Sequence, residues 1–339
     1  MSAAVPGAAG PSFVFIVGTG RCGSTLLASM LSAHPAVHVP PETKYFRFFR
    51  PERVLGRPIG DEADARTWLE RCRRSRFWAD VAVDEERLAR DAVAGTGDDG
   101  HLWRAMAEQW AEGTGSRVLG EQTPGHWREI ERIRRTVPGA RFVHLFRDPR
   151  DVALSARRIR MGVDHSGSIQ RSGAAIARVL DAMERWRRRL GPDVVHEVRY
   201  EDLVVDPAAA IEGLCGWLGI DPDPRMLAHH EHGEAAYTER THDWQALTRE
   251  PVRTDRIGRY RTRMAPREVR AIEHLLGPRL ARRGYEREPG PDPLGWRLVD
   301  AGHRAGWRLR DALGRAVAPV RPHPRGAEVA ADGGMLPPV

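Results

Sequence analysis

A glycine-rich segment near the start of the sequence has the residue types of an anion-binding loop. Residues 18–25 read GTGRCGST and stand between an apolar run at 13–17 and a helical pattern at 24–33. In a strand, loop and helix arranged in this way, backbone N–H groups and the positive end of the helix dipole converge on a phosphate or sulfate group. The alternative is a tight glycine-rich turn that binds no ligand.

The loop differs from that of nucleoside-triphosphate enzymes at one position. Their pattern, G-x-x-x-x-G-K-[ST], requires a lysine that reaches the terminal phosphates. Ser24 stands at that position, and Lys44 is the only lysine among the 53 basic residues, a composition typical of a GC-rich genome. Arg21 brings the positive charge instead. The sequence therefore argues against an ordinary kinase or ATPase.

A second basic segment follows a later strand pattern. Arg147 comes directly after the apolar run at 142–146, and Ser155 follows eight residues later within a helical pattern. Open α/β folds bind ligands at the carboxyl edge of the sheet, where Arg147 would bind a phosphate through two parallel hydrogen bonds. The Ser155 hydroxyl would donate to the same phosphate. The alternative is a helix start that carries solvent-exposed ion pairs.

Taken together, the two segments resemble the sulfotransferases that use 3′-phosphoadenosine 5′-phosphosulfate (PAPS), over about residues 12–285. The first segment resembles the 5′-phosphosulfate loop of that family, and the second resembles its 3′-phosphate segment. The resemblance implies that Arg147 and Ser155 bind the phosphate that distinguishes PAPS from ATP. It also places five loop residues on the cofactor: Arg21, Cys22, Gly23, Ser24 and Thr25.

The activity implied by this resemblance is the transfer of a sulfuryl group from PAPS to an acceptor hydroxyl or amine, without a metal ion. By analogy with phosphoryl transfer, preorganised positive charge stabilises the migrating group and the departing phosphate. Arg21 and the loop amides suit this role. Gln122 stands where related sequences commonly carry lysine. Either Arg21 alone supplies the charge, or the reaction is slow, or the donor differs.

Two further segments resemble less distinctive parts of the family. Residues 253–261 are similar to a C-terminal element that closes over the cofactor, which makes Arg253 a candidate lid cation. This segment departs from the family pattern, because Asp255 replaces a frequent glycine and Tyr260 replaces tryptophan. Tyr200 opens a recurrent Tyr-Glu-Asp-Leu segment, which places it near the adenosine. The alternative for Tyr200 is a buried structural tyrosine.

The transfer also requires a general base near the acceptor hydroxyl. Residues 40–44 read PPETK and resemble the Glu-Thr-basic motif of protein-tyrosine and several bacterial sulfotransferases, which makes Glu42 the first candidate. The alternative is a surface carboxylate paired with Lys44. Cytosolic small-molecule sulfotransferases use a histidine instead. His126 lies two residues beyond the position of that histidine, and it is the second candidate for the base or a substrate contact.

Hydrophobic periodicity predicts the elements that must position these residues. Short apolar runs of strand length alternate with amphipathic helical patterns, which predicts a parallel sheet covered by helices on both faces. The strand patterns lie at 13–17, 37–39, 118–119, 141–146 and 194–198, and the helical patterns lie at 24–33, 62–115, 150–160 and 207–218. We therefore predict an α/β, P-loop-like three-layer fold with a mostly parallel central sheet and a helical insertion at 62–115.

Composition divides the chain into three parts. Residues 1–11 are predicted to form a flexible lead-in, and residues 12–285 the sulfotransferase domain. Residues 286–339 are a proline- and arginine-rich appendage that holds eight of the 25 prolines. Its one amphipathic helical pattern, at 296–317, is predicted either to pack onto the domain or to make a weak membrane-surface or partner contact.

Composition also excludes several classes of protein and site. Cys22, Cys72 and Cys215 are too few and too scattered for a disulfide framework or a zinc site. Residues 229–232 (HHEH) match no metal-ligand spacing and are interpreted as a solvated helix end. No apolar run approaches the roughly 20 residues of a transmembrane helix, and no secretory signal is recognisable. We therefore expect a cytoplasmic protein without a metal. The formal net charge of +7 favours anionic ligands, but no nucleic-acid-binding motif accompanies it.

The preferred hypothesis is a PAPS-dependent sulfotransferase. The alternatives are a nucleotide-dependent, kinase-like P-loop enzyme and a non-catalytic PAPS- or nucleotide-binding protein, which Gln122 favours. The acceptor stays open among a small molecule, a carbohydrate, a lipid and a peptide, and the sequence predicts no oligomeric state. Residues 44–115, 161–172 and 233–252 are expected to shape the acceptor site.

Overall fold

The computed structural model describes residues 12–75, 77–78, 81–158, 169–232 and 246–289. These residues fall into two compact units. The first combines Met1–Arg147 with Ala182–Asp255, and the second combines Asp148–Asp181 with Arg256–Val339. The lead-in predicted at 1–11 and the amphipathic helix predicted at 296–317 lie outside the described residues, as do parts of all three of the expected acceptor segments.

A five-stranded sheet forms the centre of the first unit. Its strands are β1 (Ser12–Gly18), β2 (Val37–His38), β3 (Val118–Glu121), β4 (Arg141–Phe146) and β5 (Val195–Arg199). They are adjacent in the order β2-β3-β1-β4-β5, and every neighbouring pair is parallel. The prediction of an α/β fold with a mostly parallel central sheet is confirmed.

Fifteen α-helices are assigned in the described residues of the two units. In the first half of the chain they are α1 (Ser24–Ser32), α2 (Tyr45–Phe48), α3 (Pro51–Val54), α4 (Glu62–Arg73), α5 (Glu85–Ala94), α6 (Asp99–Ala111), α7 (Ile130–Thr136) and α8 (Pro149–Arg158). They continue with α9 (Ile169–Leu190), α10 (Tyr200–Val205), α11 (Pro207–Leu218), α12 (His229–His232), α13 (Tyr260–Arg263), α14 (Pro266–Leu276) and α15 (Pro278–Arg282). The insertion predicted at 62–115 contains α4, α5 and α6.

Local sequence signals explain where the helices of the insertion begin. The side chains of Asp61, Asp84 and Asp98 accept hydrogen bonds from backbone N–H groups in the first turns of α4, α5 and α6. Such caps satisfy donors that the first turn of a helix leaves without partners, and each contributes about 1 kcal/mol. Gly219 ends α11 in the left-handed conformation, with φ of 77°, which glycine adopts without steric cost.

Apolar side chains cover both faces of the sheet in the first unit. On one face, Ile16 of β1 and Val143 of β4 belong to a buried cluster with residues of α1 and α11. On the other face, the ring of Phe15 packs 4.7 Å from that of Trp103 on α6 and 5.9 Å from that of Phe46 on α2, measured between ring centroids. Because both faces are buried, the strands read as continuous apolar runs, and β1 is a fixed support for the loop that follows it.

Three chain segments of the predicted site leave the sheet at the same edge. In the parallel register, Gly18 of β1 lies opposite Leu145 of β4, and Phe15 of β1 lies opposite Glu121 of β3. The loop after β1, the residues after Glu121 and Arg147 after β4 therefore share the carboxyl edge, where open α/β sheets bind ligands.

The second unit has a buried charge network around Arg150. The Arg150 guanidinium donates to Asp148 Oδ2 at 2.7 Å and to Glu273 Oε1 at 2.6 Å. It also lies over the ring of Tyr260, with Cζ 4.1 Å from the centroid. The start of α8 therefore carries buried ion pairs, and the alternative of solvent-exposed pairs does not describe Arg150.

The interpretation of residues 229–232 as a solvated helix end is wrong for its first residue. His229 is fully buried, and burial lowers its pKa to about 4.

Within the part of the chain that the structure describes, no group of three or more His, Cys, Asp or Glu side chains is arranged to hold a metal ion. Across the same residues, no helix combines the length and apolar character needed to cross a membrane.

Candidate active site

Two residues of the loop between β1 and α1 adopt a left-handed backbone conformation. Arg21 has φ of 69° and Gly23 has φ of 100°. A Cβ atom on Gly23 would lie 2.5 Å from Cδ2 of Tyr200, so no larger residue fits there. Left-handed residues within a turn orient successive N–H groups toward one point, the arrangement that binds anions. Ser24 then opens α1, whose N-terminal N–H groups add to the same positive potential.

Burial shifts the pKa values of two loop side chains, Arg21 and Cys22. Burial lowers the pKa of Arg21, and the neighbouring charge of Arg147 lowers it further. Two guanidinium groups that repel each other suit a ligand with more than one anionic group. Cys22 is fully buried, and burial raises the pKa of its thiol to about 11. Cys22 therefore packs under the loop as a neutral side chain, and only its backbone can face a ligand.

Tyr200 joins the loop to Arg147. The Arg147 guanidinium lies over the Tyr200 ring, with Cζ 4.3 Å from the centroid, and the edge of the same ring is the surface against which Gly23 packs. Tyr200 is buried at the start of α10, as the structural alternative for this residue expected. The two predicted anion-binding elements are thus held side by side by one aromatic ring.

Two further predicted cofactor residues are Ser155 and Arg253. Ser155 lies on α8 in the second unit. Arg253 is 55% exposed and forms ion pairs with Glu250 at 3.1 Å and with Asp255 at 3.2 Å. The cofactor-binding roles of both residues stay predictions.

The first candidate base lies on the segment after β2. The Glu42 side chain is 32% exposed, and its Oε2 lies 3.6 Å from Nζ of Lys44. The ion pair that the alternative expected is therefore present. Glu42 is also close enough to Arg21 to raise the pKa of that guanidinium. The carboxylate of Glu42 is therefore accessible, and its charge acts on the loop residue Arg21.

The second candidate base lies behind this segment. The His126 side chain is 1% exposed, and its Nδ1 lies 3.1 Å from Oε2 of the fully buried Glu121. Because a general base must come within hydrogen-bond reach of the proton it removes, the position of His126 favours Glu42 for this role. Gln122 is also buried.

Sequence reasoning missed the roles of Glu121, Thr43 and Thr123. The hydroxyls of both threonines donate to Oε1 of Glu121, at 2.5 Å from Thr43 and 2.6 Å from Thr123. The available signal was a carboxylate at the end of a buried strand, where an isolated charge is costly unless hydrogen bonds satisfy it.

A sequence model of the sulfotransferase family matches residues 11–224. The chain is 26% identical over 302 residues to the nodulation protein NoeE of Sinorhizobium fredii, an alignment that covers 81% of this chain and 66% of that protein. It is 25% identical over 298 residues to protein-tyrosine sulfotransferase 1 of Danio rerio, covering 83% of this chain and 74% of that protein.

Solved sulfotransferase domains share the fold. The domain from the Synechococcus PCC 7002 olefin synthase superimposes with a TM-score of 0.59 at 22% identity, covering 83% of this chain and 97% of that chain. The domain from the curacin biosynthetic pathway gives a TM-score of 0.58 at 20% identity, covering 82% of this chain and 99% of that chain. Because the family model matches more than half of the chain, the chain belongs to the sulfotransferase family, whose members transfer a sulfuryl group and use PAPS as their standard donor.

Proposed function

We propose that this chain transfers the sulfuryl group of PAPS to an acceptor hydroxyl, with Glu42 as the general base. The observation that carries the proposal is the arrangement around Tyr200, whose ring supports the loop at Gly23 and the guanidinium of Arg147. PAPS has anionic groups on both its 5′ and 3′ sides, so it matches two cationic elements that lie next to each other.

In this proposal the loop and Arg147 divide the donor between them. Arg21 and the backbone N–H groups of residues 22–25 bind the 5′-phosphosulfate, and Arg147 binds the 3′-phosphate. Tyr200 lies near the adenosine, and Arg253 closes over the cofactor. Oriented N–H groups and guanidinium charge stabilise negative charge that grows on the transferring group and on the leaving phosphate.

The reaction forms one bond and breaks one bond at sulfur. The acceptor oxygen bonds to sulfur, the bond from sulfur to the phosphate oxygen breaks, and Glu42 receives the proton of the hydroxyl. The products are a sulfated acceptor and 3′-phosphoadenosine 5′-phosphate (PAP), with the negative charge of the broken bond on the phosphate. Glu42 suits this step because its carboxylate is partly exposed, and its charge acts on the guanidinium of Arg21.

The acceptor in this proposal presents its hydroxyl on a small molecule, a carbohydrate, a lipid or a peptide. Two relatives bear on this point only by name, one as a nodulation protein and one as a protein-tyrosine sulfotransferase. We further propose a cytoplasmic location. All three cysteines, Cys22, Cys72 and Cys215, are buried free thiols, as is usual in a reducing compartment.

The direct test compares the thermal stabilisation of the protein by PAP, ADP and ATP. A ligand that binds only the folded state, at a concentration of 100 times its Kd, stabilises that state by about 2.7 kcal/mol. We expect PAP to raise Tm more than either ADP or ATP does. A larger shift with ATP, together with magnesium-dependent ATP turnover, would support the kinase-like alternative. PAP binding without transfer from PAPS to a panel of hydroxyl acceptors would support the non-catalytic alternative.

A further inference from the structure

A buried carboxylate organises the segment that carries Glu42. Glu121 ends β3 and is fully buried. Its Oε1 accepts hydrogen bonds from the hydroxyls of Thr43 and Thr123, and its Oε2 faces Nδ1 of His126 at 3.1 Å. Burial alone would raise the pKa of Glu121, but His126 and the two hydroxyls together hold it below its ordinary value. These contacts therefore favour the ionised form of the carboxylate.

The hydroxyl of each threonine also accepts a hydrogen bond from the backbone after Glu42. The N–H of Lys44 donates to Thr123 Oγ1 at 3.0 Å, and the N–H of Tyr45 donates to Thr43 Oγ1 at 3.1 Å. An ionised carboxylate only accepts hydrogen bonds, so both hydroxyl protons point toward Glu121. The lone pairs of the hydroxyls then face the two backbone N–H groups, so the directions of the four hydrogen bonds of these hydroxyls are fixed.

Lys44, which donates to this network, has an unfavourable backbone conformation. Lys44 has φ of 55°, a left-handed value that non-glycine residues rarely adopt and that persists only where surrounding contacts enforce it. With the backbone turned in this way, Nζ of Lys44 lies 3.6 Å from Oε2 of Glu42 and 4.0 Å from the centroid of the Phe77 ring. The turn therefore sets where the Lys44 amine lies, and this amine contacts the Glu42 carboxylate.

We propose that Glu121 is a positioning residue, which acts through Thr43 and Thr123 to hold Lys44 in its left-handed turn and thereby keeps Glu42 in place. The role of Glu42 as the base rests on the proposed function. The placement of Lys44 does not, so the two ideas can be tested separately.

The test uses two matched pairs of variants. Thr43→Val and Thr123→Val keep the shape of the side chain and remove the hydroxyl, whereas Thr43→Ser and Thr123→Ser keep the hydroxyl. A displacement of about 1 Å at a catalytic group costs about 100-fold in rate. We therefore expect each valine variant to lose about 100-fold in kcat, with unchanged KM for PAPS and unchanged stabilisation by PAP. The serine variants are expected to stay close to the wild type.

A second readout needs no turnover, because Lys44 is the only lysine in the chain. Its ε-amine is labelled with an amine-reactive ester, and peptide mass analysis separates it from the terminal amine. We expect faster labelling of Lys44 in both valine variants and wild-type rates in both serine variants, with Tm measured for all four to show that they are folded.

Two outcomes decide against the proposal. Equal labelling and equal kcat in the valine and serine members of both pairs would show that the hydroxyls do not position this segment. Equal losses in kcat and in PAP affinity would show a general structural role. If the wild-type protein binds PAP but sulfates no acceptor, the proposed function fails, and the labelling rates alone still confirm or refute the positioning of Lys44.

Discussion

Replacing Arg147 with alanine tests whether this residue binds the 3′-phosphate of PAPS. A hydrogen bond to a charged group contributes about 1.5–3 kcal/mol, and a guanidinium that binds a phosphate through two such bonds loses both. A net loss of about 3 kcal/mol corresponds to about 150-fold in Kd at 1.4 kcal/mol per factor of ten. We therefore expect Arg147→Ala to weaken PAPS by about this factor.

The comparison ligand is adenosine 5′-phosphosulfate, which has no 3′-phosphate. Arg147→Ala also removes the contact with Tyr200, worth about 0.5–2 kcal/mol, and the loop that packs on Tyr200 will respond to this loss. Because that effect weakens both ligands equally, the ratio of the two Kd values isolates the phosphate contact. Both values come from calorimetric titration without an acceptor.

The chain offers a matched control on the same strand. Arg141, at the other end of β4, places its guanidinium 4.6 Å from the centroid of Trp217 and donates to the carbonyls of Trp217 and Leu218. Arg141→Ala should lower Tm without changing the ratio of the Kd values. Equal losses of both ligands in Arg147→Ala would refute the assignment of this residue to the 3′-phosphate.

Three further changes test other parts of the site and fold. Gly23→Ala places a Cβ atom 2.5 Å from the Tyr200 ring at φ of 100° and should reduce PAP affinity in a titration, whereas Gly216→Ala in α11, with nothing within 4 Å, should leave that affinity unchanged and raise Tm. Glu42→Gln should abolish transfer and leave PAP affinity intact, and retained turnover would move the base to His126. His229 has a pKa of about 4 against an ordinary 6.5, so the unfolded chain binds the additional proton between these values and stability should rise with pH across that window. In urea unfolding series, His229→Gln should flatten this dependence, and an unchanged slope would contradict it.

Local periodicity was sufficient to predict the elements that carry the site. The apolar run of β1, the glycines after it and the pattern of α1 are neighbours in sequence, so strand, loop and helix could be placed together. The strand β4 and the proline at the start of α8 gave equally local signals. The helix α9 was missed although Ile176, Val179 and Met183 recur at helical spacing and are buried, which shows that a usable signal was present there.

The contacts that organise the site depend on strand order, and sequence periodicity contains no information about it. Thr43 and Glu121 are 78 residues apart and meet because β2 and β3 are neighbours in the sheet. Tyr200 meets Gly23 and Arg147 for the same kind of reason, since it follows β5 while they follow β1 and β4. His229 was misjudged because its burial depends on packing against distant segments, while its sequence neighbours are polar.

The charges around the loop connect the fold to the choice of ligand. The burial of Arg21 and its closeness to Arg147 both disfavour the charged guanidinium, so folding brings two like charges together at some cost in stability. A ligand that places negative charge near both groups removes that cost in addition to forming new hydrogen bonds. A ligand that reaches Arg21 alone leaves the charge of Arg147 uncompensated. We therefore expect the arrangement to discriminate between nucleotides by the number and placement of their anionic groups, without a lysine in the loop.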